Sequence, residues 1–336
     1  MSIDTLAQRG RTTTGARGRL AANGWLAFAI RRSARIVVAL GVLLALTFFM
    51  IHLVPGDPVR SSLPMGATAE MIKAKRHELG LDQPLPQQFA MYLGDVVHGR
   101  LGHSVATGES VSSVLSHRLL PTLQIAFLAF AVILVIALPL GFSIAVLTRG
   151  GRRRWLDDLF TFVTGLVGAI PSFLTSVGLI FVFAVTLRYL PAAGQRGPAS
   201  YLLPVLSLSL GLAGHLARIV RVETLAVLDL DYMRTARSKR TGVVHMYARH
   251  ALPNILTSVL TISGMMLPGL IGGTVLVENV FAWPGMGTAL VQSILAKDYQ
   301  VVQAIALLLG SFVLISNLLV DIALSVVDPR SAIRGA

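Results

Sequence analysis

Residues 122–147 read TLQIAFLAFAVILVIALPLGFSIAVL, a segment without a single charged side chain. A helix of this length exceeds the ~20 residues that cross the ~30 Å hydrocarbon core of a bilayer. Further uncharged or nearly uncharged windows lie at residues 36–54, 159–187, 201–217, 255–277 and 301–327. The sequence therefore predicts an all-α integral membrane protein with about six transmembrane helices.

The composition of the whole chain indicates the same class of protein. The 336 residues are 54% hydrophobic and 13% charged, with a mean hydropathy of +0.71, whereas soluble domains are about one quarter charged. The chain has no cysteine, which excludes disulfides, thiolate metal sites and cysteine nucleophiles.

The formal net charge of +13 comes from basic residues that lie mostly on one side of the predicted membrane helices. If both termini lie in the cytoplasm, 20 of the 29 basic residues fall on the cytoplasmic side. Lys and Arg collect on that side of membrane proteins because they set the orientation of insertion. The pattern predicts cytoplasmic N and C termini, and it explains the positive charge without a nucleic-acid partner.

The apolar windows divide the chain into membrane and aqueous segments. We expect the first helix to be retained, because no small-x-small cleavage site follows it. In the long extracytoplasmic loop, Glu70–Leu79 and Gln87–Val97 have helical patterns, and Gly80 is placed as a helix stop. The predicted segments are a cytosolic tail (1–35), a first transmembrane helix (36–54), an extracytoplasmic loop (55–118), a core of five further transmembrane helices (119–328) and a cytosolic tail (329–336).

The search for catalytic and metal-binding motifs is negative. The chain has no GxxxxGK[ST] phosphate loop, no HExxH and no GxSxG on a strand-to-helix turn. His245 and His250 are five residues apart in a basic loop, a spacing that favours a surface role over a metal site. We therefore predict no catalytic residues and no metal in this chain.

One cytosolic loop, at residues 218–254, reads RIVRVETLAVLDLDYMRTARSKRTGVVHMYARHALPN. Asp231 suits an N-cap, followed by helical turns over Tyr232–Lys239 in which Thr235 and Ala236 are small residues among arginines. Small residues let a helix approach a protein partner closely. A loop that lies on anionic lipid and sets orientation is the alternative, and the residues alone leave both interpretations open.

The spacing in this loop resembles the coupling loop of ATP-binding-cassette importer permeases. That pattern is Glu-Ala-Ala, three residues, Gly, nine residues, Ile, one residue and Leu-Pro. The present chain keeps the spacing with Arg234-Thr235-Ala236, Arg240, His250 and Leu252-Pro253. The dipeptide and oligopeptide branch of the family commonly has Arg-Thr-Ala, as here. Arg240 stands where the family has glycine, and Gly242 follows two places on.

Four other stretches are similar to the same branch. They are HLVPGDP at 52–58, LGLDQP at 79–84, GRLGHS at 99–104 and VENVFAWPGMG at 277–287. In order, and together with the loop, they extend the resemblance over about residues 36 to 328.

The resemblance implies the type I ABC importer permease fold in a bacterial inner membrane. It implies a second homologous permease, two ATPase subunits that bind ATP and Mg, and an extracytoplasmic substrate-binding protein, with no cofactor bound by this chain. Di- or oligopeptides are the implied cargo, and haem, nickel chelates or glutathione-like compounds are alternatives. The residues implied for ATPase coupling, within a coupling loop at 221–253, are Asp231, Tyr232, Arg234, Thr235, Ala236, Arg237, Lys239, Gly242, Leu252 and Pro253.

The translocation path is less marked in the sequence. Phe281, Trp283 and Met286 are predicted at the outer mouth, where an interfacial aromatic belt is the alternative interpretation. Kinks and close helix contacts are predicted at the prolines and glycines of the spans. For these residues a role in helix packing is favoured over a role in the translocation path. These residues are Pro139, Pro171, Pro204, Pro268, Gly264, Gly269, Gly272 and Gly273.

Two other function classes remain as alternatives. An ion-coupled secondary carrier needs ionisable groups within the membrane, and Asp321 is the single carboxylate inside the six windows. We interpret Asp321 as snorkelling or as part of a helix–helix hydrogen bond. An intramembrane hydrolase would use Ser207, Ser209 and His215, but no oxyanion site accompanies them in the sequence.

Overall fold

The computed structural model describes residues 32–50, 59, 63, 66–78, 80–238 and 242–327. Within these residues the regular secondary structure is helical, apart from one isolated bridge between His103 and Ser110. The helices are α1 (Arg32–Met50), α2 (Ala69–Glu78), α3 (Leu85–Val97), α4 (Val111–Thr148), α5 (Arg154–Ala169), α6 (Ser172–Leu179), α7 (Leu202–Leu228), α8 (Asp231–Ser238), α9 (Val243–Met246), α10 (Leu252–Val280), α11 (Met286–Leu295) and α12 (Tyr299–Val327).

Five of these helices, α1, α4, α7, α10 and α12, are long and apolar enough to cross a membrane. The pair α5 and α6, the latter extended by a π-helix over Ile180–Thr186, forms a sixth span that is bent by 95°. The prediction of about six spans is confirmed if this pair counts as one. The bend lies at Pro171, the proline of the 159–187 window, at which a kink was predicted. Ile170 adopts an extended backbone before Pro171 (ψ 121°), because a residue that precedes proline is disfavoured in the α region.

Two membrane helices extend beyond the apolar windows that predicted them. α4 begins at Val111, inside the predicted extracytoplasmic loop, and Ser110 caps it by accepting a hydrogen bond from Ser113 N at 3.3 Å. α7 continues past Ala217 to Leu228, so that Arg218 and Arg221 lie on a membrane helix and not in the predicted cytosolic loop. The helix tolerates Arg221 because this side chain forms an ion pair with Asp157 of α5.

The core of the chain is the contact between α4 and α7, with α10 packed across both. Gly141 makes this contact possible, since a Cβ at that position would lie 2.4 Å from the carbonyl oxygen of Ala217. Ile125, Ile133 and Leu216 are fully buried in the same cluster. A second, smaller cluster joins the start of α4 to α11 and α12.

The helix α3, which follows the first span in the chain, packs against that span. Phe48 of α1 packs edge-on against Phe89 of α3, with ring centroids 5.2 Å apart, and Thr47 Oγ1 lies 3.0 Å from the hydroxyl of Tyr92. The predicted stop at Gly80 is confirmed, because this glycine has a φ of +66° and its N–H bonds to the carbonyl of His77.

The intramembrane carboxylate Asp321 forms an ion pair with Arg32 of α1. The interpretation of Asp321 as a helix–helix contact is therefore confirmed, and α12 is linked to the start of the first span.

Candidate functional site

The predicted coupling helix is α8, a short amphipathic helix that follows the C-terminal end of α7. Met233 is completely buried and belongs to the main core cluster, against which Ala236 is also packed. Asp231, Thr235 and Ser238 are exposed, and 71% of the Arg234 side chain is accessible. One face of α8 is thus packed against the core, and the other face is accessible to a protein outside the membrane.

A network of polar contacts connects α8 with the start of α10. The Tyr232 hydroxyl accepts a hydrogen bond from Asn254 Nδ2 at 2.6 Å and donates to the carbonyl oxygen of His250 at 3.4 Å. Pro253 lies in the first turn of α10. Backbone N–H groups in a first turn have no acceptor within the helix, so proline, which lacks this group, is accommodated there. The Tyr247 ring packs edge-on against Phe142 of α4 at 5.7 Å. These contacts attach the loop to α10 and to α4.

The turn that follows α4 contacts the C-terminal end of α7, where the loop begins. Arg149, directly after α4, donates from Nη2 to the carbonyl oxygen of Leu228 and to Asp229 Oδ1, each at 2.7 Å. A cation at these carbonyls stabilises the C-terminus of α7 through hydrogen bonding and the helix dipole. A displacement of α8 would therefore act on α4, α7 and α10 together.

The structure places most of the predicted coupling residues on this surface, with two differences. Asp231 is the first helical residue and Leu230 precedes it, so the prediction of Asp231 as the N-cap is wrong by one position. Ala236 is half-buried against the core, and Thr235 is the small residue that faces outward.

The remaining predicted coupling residues are described in part. Leu252, Pro253 and Gly242 are exposed. Lys239 and Arg240 lie outside the described residues, and the structure gives the backbone of Arg237 within α8 but not its side chain.

The predicted outer-mouth residues are buried. Trp283 and Met286 have no exposed surface and Phe281 retains 2%. Trp283 Nε1 donates to the carbonyl oxygen of Pro121 at 3.3 Å, and its ring lies edge-on to Tyr201 at 4.6 Å. The interpretation as an exposed interfacial belt is wrong, because the segment folds back onto α4 and covers all three side chains.

Sequence reasoning missed the carboxylate that organises this segment. Glu278 is completely buried, and its Oε2 accepts hydrogen bonds from the backbone N–H of Gly287 at 2.7 Å and of Thr288 at 3.4 Å. It thereby caps the start of α11. A Cβ at Gly287 would lie 2.4 Å from the Cα of Val275, and one at Gly285 would lie 2.4 Å from Glu278 Oε2. In the sequence, this arrangement is indicated by Glu278, a single acidic residue, followed closely by Gly285 and Gly287.

A cavity of about 580 Å³ lies at the bend between α5 and α6. Its walls are the bend itself, one face of α7 and one face of α10, and they include Pro171, Gly269 and Gly273 from the predicted kink and close-contact set. Gly264, by contrast, packs against Val320 of α12. His215 and Arg218 of α7 also line the cavity, with Arg218 Nη2 at 3.3 Å from His215 Nδ1.

The side chains in α7 do not form a hydrolytic centre. Ser207 Oγ donates to the carbonyl oxygen of Pro204 at 2.8 Å and Ser209 Oγ to that of Leu206 at 3.3 Å, while His215 contacts Arg218. Neither serine is therefore bonded to the histidine as a nucleophile would be to its base. Among the residues that the structure describes, no group of three or more His, Asp or Glu is arranged to hold a metal ion.

Comparison with known proteins agrees with this architecture. Residues 137–333 match the family model of the binding-protein-dependent transport system inner membrane component, and residues 25–126 match the N-terminal model of the same components. A protein of Brucella abortus (strain 2308) named as a peptide transport system permease is 39% identical over 312 residues, covering 90% of this chain and 98% of the relative. The glutathione transport system permease GsiC of Escherichia coli O6:H1 is 35% identical over 304 residues, with 90% and 98% coverage.

Among solved structures, the inward-facing MetNI methionine ABC transporter superposes with a TM-score of 0.55 at 20% sequence identity, covering 65% of this chain and 97% of that chain. This likeness supports the fold, which is that of ABC importer permeases. From the family match and the identity to its relatives, the chain belongs to the family of inner membrane components of binding-protein-dependent transport systems.

Proposed function

We propose that this chain is a permease subunit of an ATP-driven peptide importer and contributes half of the translocation path. A second homologous permease supplies the other half, and an extracytoplasmic binding protein delivers the cargo. Two separate ATPase subunits bind ATP and Mg, and this chain performs no catalysis. The observation that carries the proposal is the anchoring of α8, with Met233 buried in the core while Asp231, Arg234 and Thr235 face outward.

The contacts of α8 support a direct mechanical role. When the ATPase subunits close around ATP, their movement at the exposed face of α8 would pass through Met233, the Tyr232–Asn254 bond and Arg149 to three membrane helices. Packed helices respond to such a displacement as rigid bodies, and the outcome is an alternation between outward and inward access.

The charge distribution supports an orientation for this mechanism. α8 lies on the same side as the basic turn at 149–154, so we place both regions and both termini in the cytoplasm. The helices α2 and α3 then lie outside, together with the 99–110 loop, which Asp298 holds by accepting a hydrogen bond from Ser104 Oγ at 2.5 Å. This outer surface is where we expect the binding protein to dock.

Peptide is our proposed cargo because the Brucella relative is named as a peptide transport permease. Glutathione, which is itself a peptide, is the second candidate, since GsiC is named as a glutathione permease. An ion-coupled carrier is less well supported. The carboxylate on which that alternative depended, Asp321, is paired with Arg32.

The experiment is to purify the tagged chain with its associated subunits and to reconstitute the complex in proteoliposomes with its binding protein. We expect ATPase subunits and a second polytopic subunit to co-purify, and labelled peptide to accumulate only when ATP is supplied. Uptake of glutathione but not of other short peptides would select the second candidate. Uptake driven by an ion gradient in the absence of ATPase subunits would contradict the proposal.

A further inference from the structure

The cavity at the bend between α5 and α6 is lined by a cation, Arg218 of the membrane helix α7. Arg218 lies ten residues before the end of α7, which places it about 15 Å from that end by helical rise. The guanidinium lies over a glycine face of α5, because a Cβ on Gly165 would be 3.9 Å from Nη1 and one on Gly168 would be 4.0 Å from Nη2. The guanidinium thus lies beside the backbone of α5, next to the bend.

Arg218 differs from the other arginine on the same helix. Arg221 is one turn nearer the cytoplasm and forms an ion pair with Asp157. In the described part of the chain, Arg218 has no carboxylate within ion-pair distance. Its polar contact is with His215, whose Nδ1 accepts the hydrogen bond at 3.3 Å because a guanidinium has no acceptor. Neutral imidazole does not balance the charge.

An unpaired cation within a membrane span is costly, and such groups mark binding sites or pathways. The cavity around Arg218 has about 580 Å³, within the range of small-ligand sites. Ser172 and Ser207 add hydroxyls, whereas Met266 and Leu270 of α10 provide apolar surface. This combination suits a ligand with one anionic group and an otherwise mixed surface.

We propose that Arg218 binds a carboxylate of the cargo as the cargo passes through this cavity. The inference rests on the proposed function as a peptide importer, and it adds the chemical group that the path recognises. A peptide with a free C-terminus supplies the carboxylate, and the planar guanidinium is suited to bind both of its oxygens. His215 acts as a positioning residue that orients the guanidinium.

The test compares uptake of a labelled tripeptide with that of its C-terminal amide in proteoliposomes, both at concentrations that saturate the binding protein. The measured quantity is the ratio of the two uptake rates, which does not depend on how much complex is active. We expect the wild-type complex to favour the free carboxylate about tenfold or more, as for a charge-assisted hydrogen bond. Arg218→Gln should bring the ratio close to one, and Arg218→Lys should retain part of the preference.

Two further variants complete the design. The matched control is the double variant Asp157→Asn/Arg221→Gln, which removes an arginine from the same helix together with its partner and should keep the wild-type ratio. If Arg218→Gln does not assemble, His215→Glu replaces it. A carboxylate three residues before Arg218 would pair with the guanidinium and should also lower the ratio towards one.

The outcomes separate the two proposals. A wild-type ratio of one, or an unchanged ratio in Arg218→Gln or in an assembled His215→Glu complex, would overturn the role of Arg218 while peptide import itself continued. Absence of ATP-dependent uptake of both peptides by the wild-type complex would instead overturn the proposed function.

Discussion

The buried anchor of α8 leads to a specific prediction for Met233→Ala. Met233 is completely buried in the main core cluster, while Asp231, Arg234 and Thr235 of the same helix are exposed. Removing a buried methionine side chain costs about 2–5 kcal/mol. A loss of about 2.8 kcal/mol shifts an equilibrium about 100-fold, so the docked position of α8 would lose most of its preference over undocked positions.

We expect this variant to hydrolyse ATP with little import. The assay measures ATP hydrolysis and peptide uptake in the same proteoliposomes and reports the number of peptides imported per ATP. That number should fall about tenfold or more in Met233→Ala. Met233→Leu conserves most of the volume and costs less than about 1.5 kcal/mol, so it should stay close to wild type. A wild-type yield per ATP from Met233→Ala, at normal amounts of complex, would refute the anchoring argument.

Three further predictions concern stability. Glu278→Ala leaves the N–H groups of Gly287 and Thr288 buried without their acceptor, at about 1–3 kcal/mol for each, and should lower the melting temperature of the complex; Glu278→Gln, which keeps an acceptor, should lower it less. Gly141→Ala places a Cβ 2.4 Å from the carbonyl oxygen of Ala217 and should reduce the amount of folded protein in the membrane, whereas Gly178→Ala, with open space around the position, should not. The hydrogen bond between His77 and Asp82 raises the pKa of His77 and lowers the pKa of Asp82. The His77 contribution is therefore lost as pH rises through its folded pKa, and that of Asp82 is lost as pH falls through its own. Hydrogen-exchange protection of α2, taken relative to the intrinsic exchange rate at each pH, should be highest between these two pKa values, and His77→Gln should remove this maximum; a maximum that persists in the variant would count against the pairing.

The membrane helices could be predicted from the sequence because each is a long apolar run, and the hydrocarbon core imposes a minimum length. A kink at Pro171 was predicted, but its size was not, since a proline alone does not fix a 95° angle. The end of α7 at Leu228 could not be predicted for a different reason. Arg221 looks like a cytosolic residue until its partner Asp157, distant in the sequence, is known.

The functional site shows a similar division. The position of α8, the predicted coupling helix, followed from local spacing, and the structure forms a helix there. Which of its faces is buried did not follow, because Met233 and Ala236 contact helices that are distant in sequence. The burial of Trp283 and the role of Glu278 depend on a segment that folds back onto α4, which no local pattern specifies.

The claim that α8 contacts the ATPase can be tested by cross-linking. The chain has no native cysteine, so a single cysteine at exposed Thr235 can be joined to nearby lysines by a short thiol-to-amine reagent. The control is a cysteine at Ser116, which is exposed near the start of α4 at the opposite end of the spans. We predict that Thr235→Cys cross-links to an ATPase subunit and that Ser116→Cys does not. An active complex in which Thr235→Cys gives no cross-link to the ATPase, or in which Ser116→Cys does, would contradict the account.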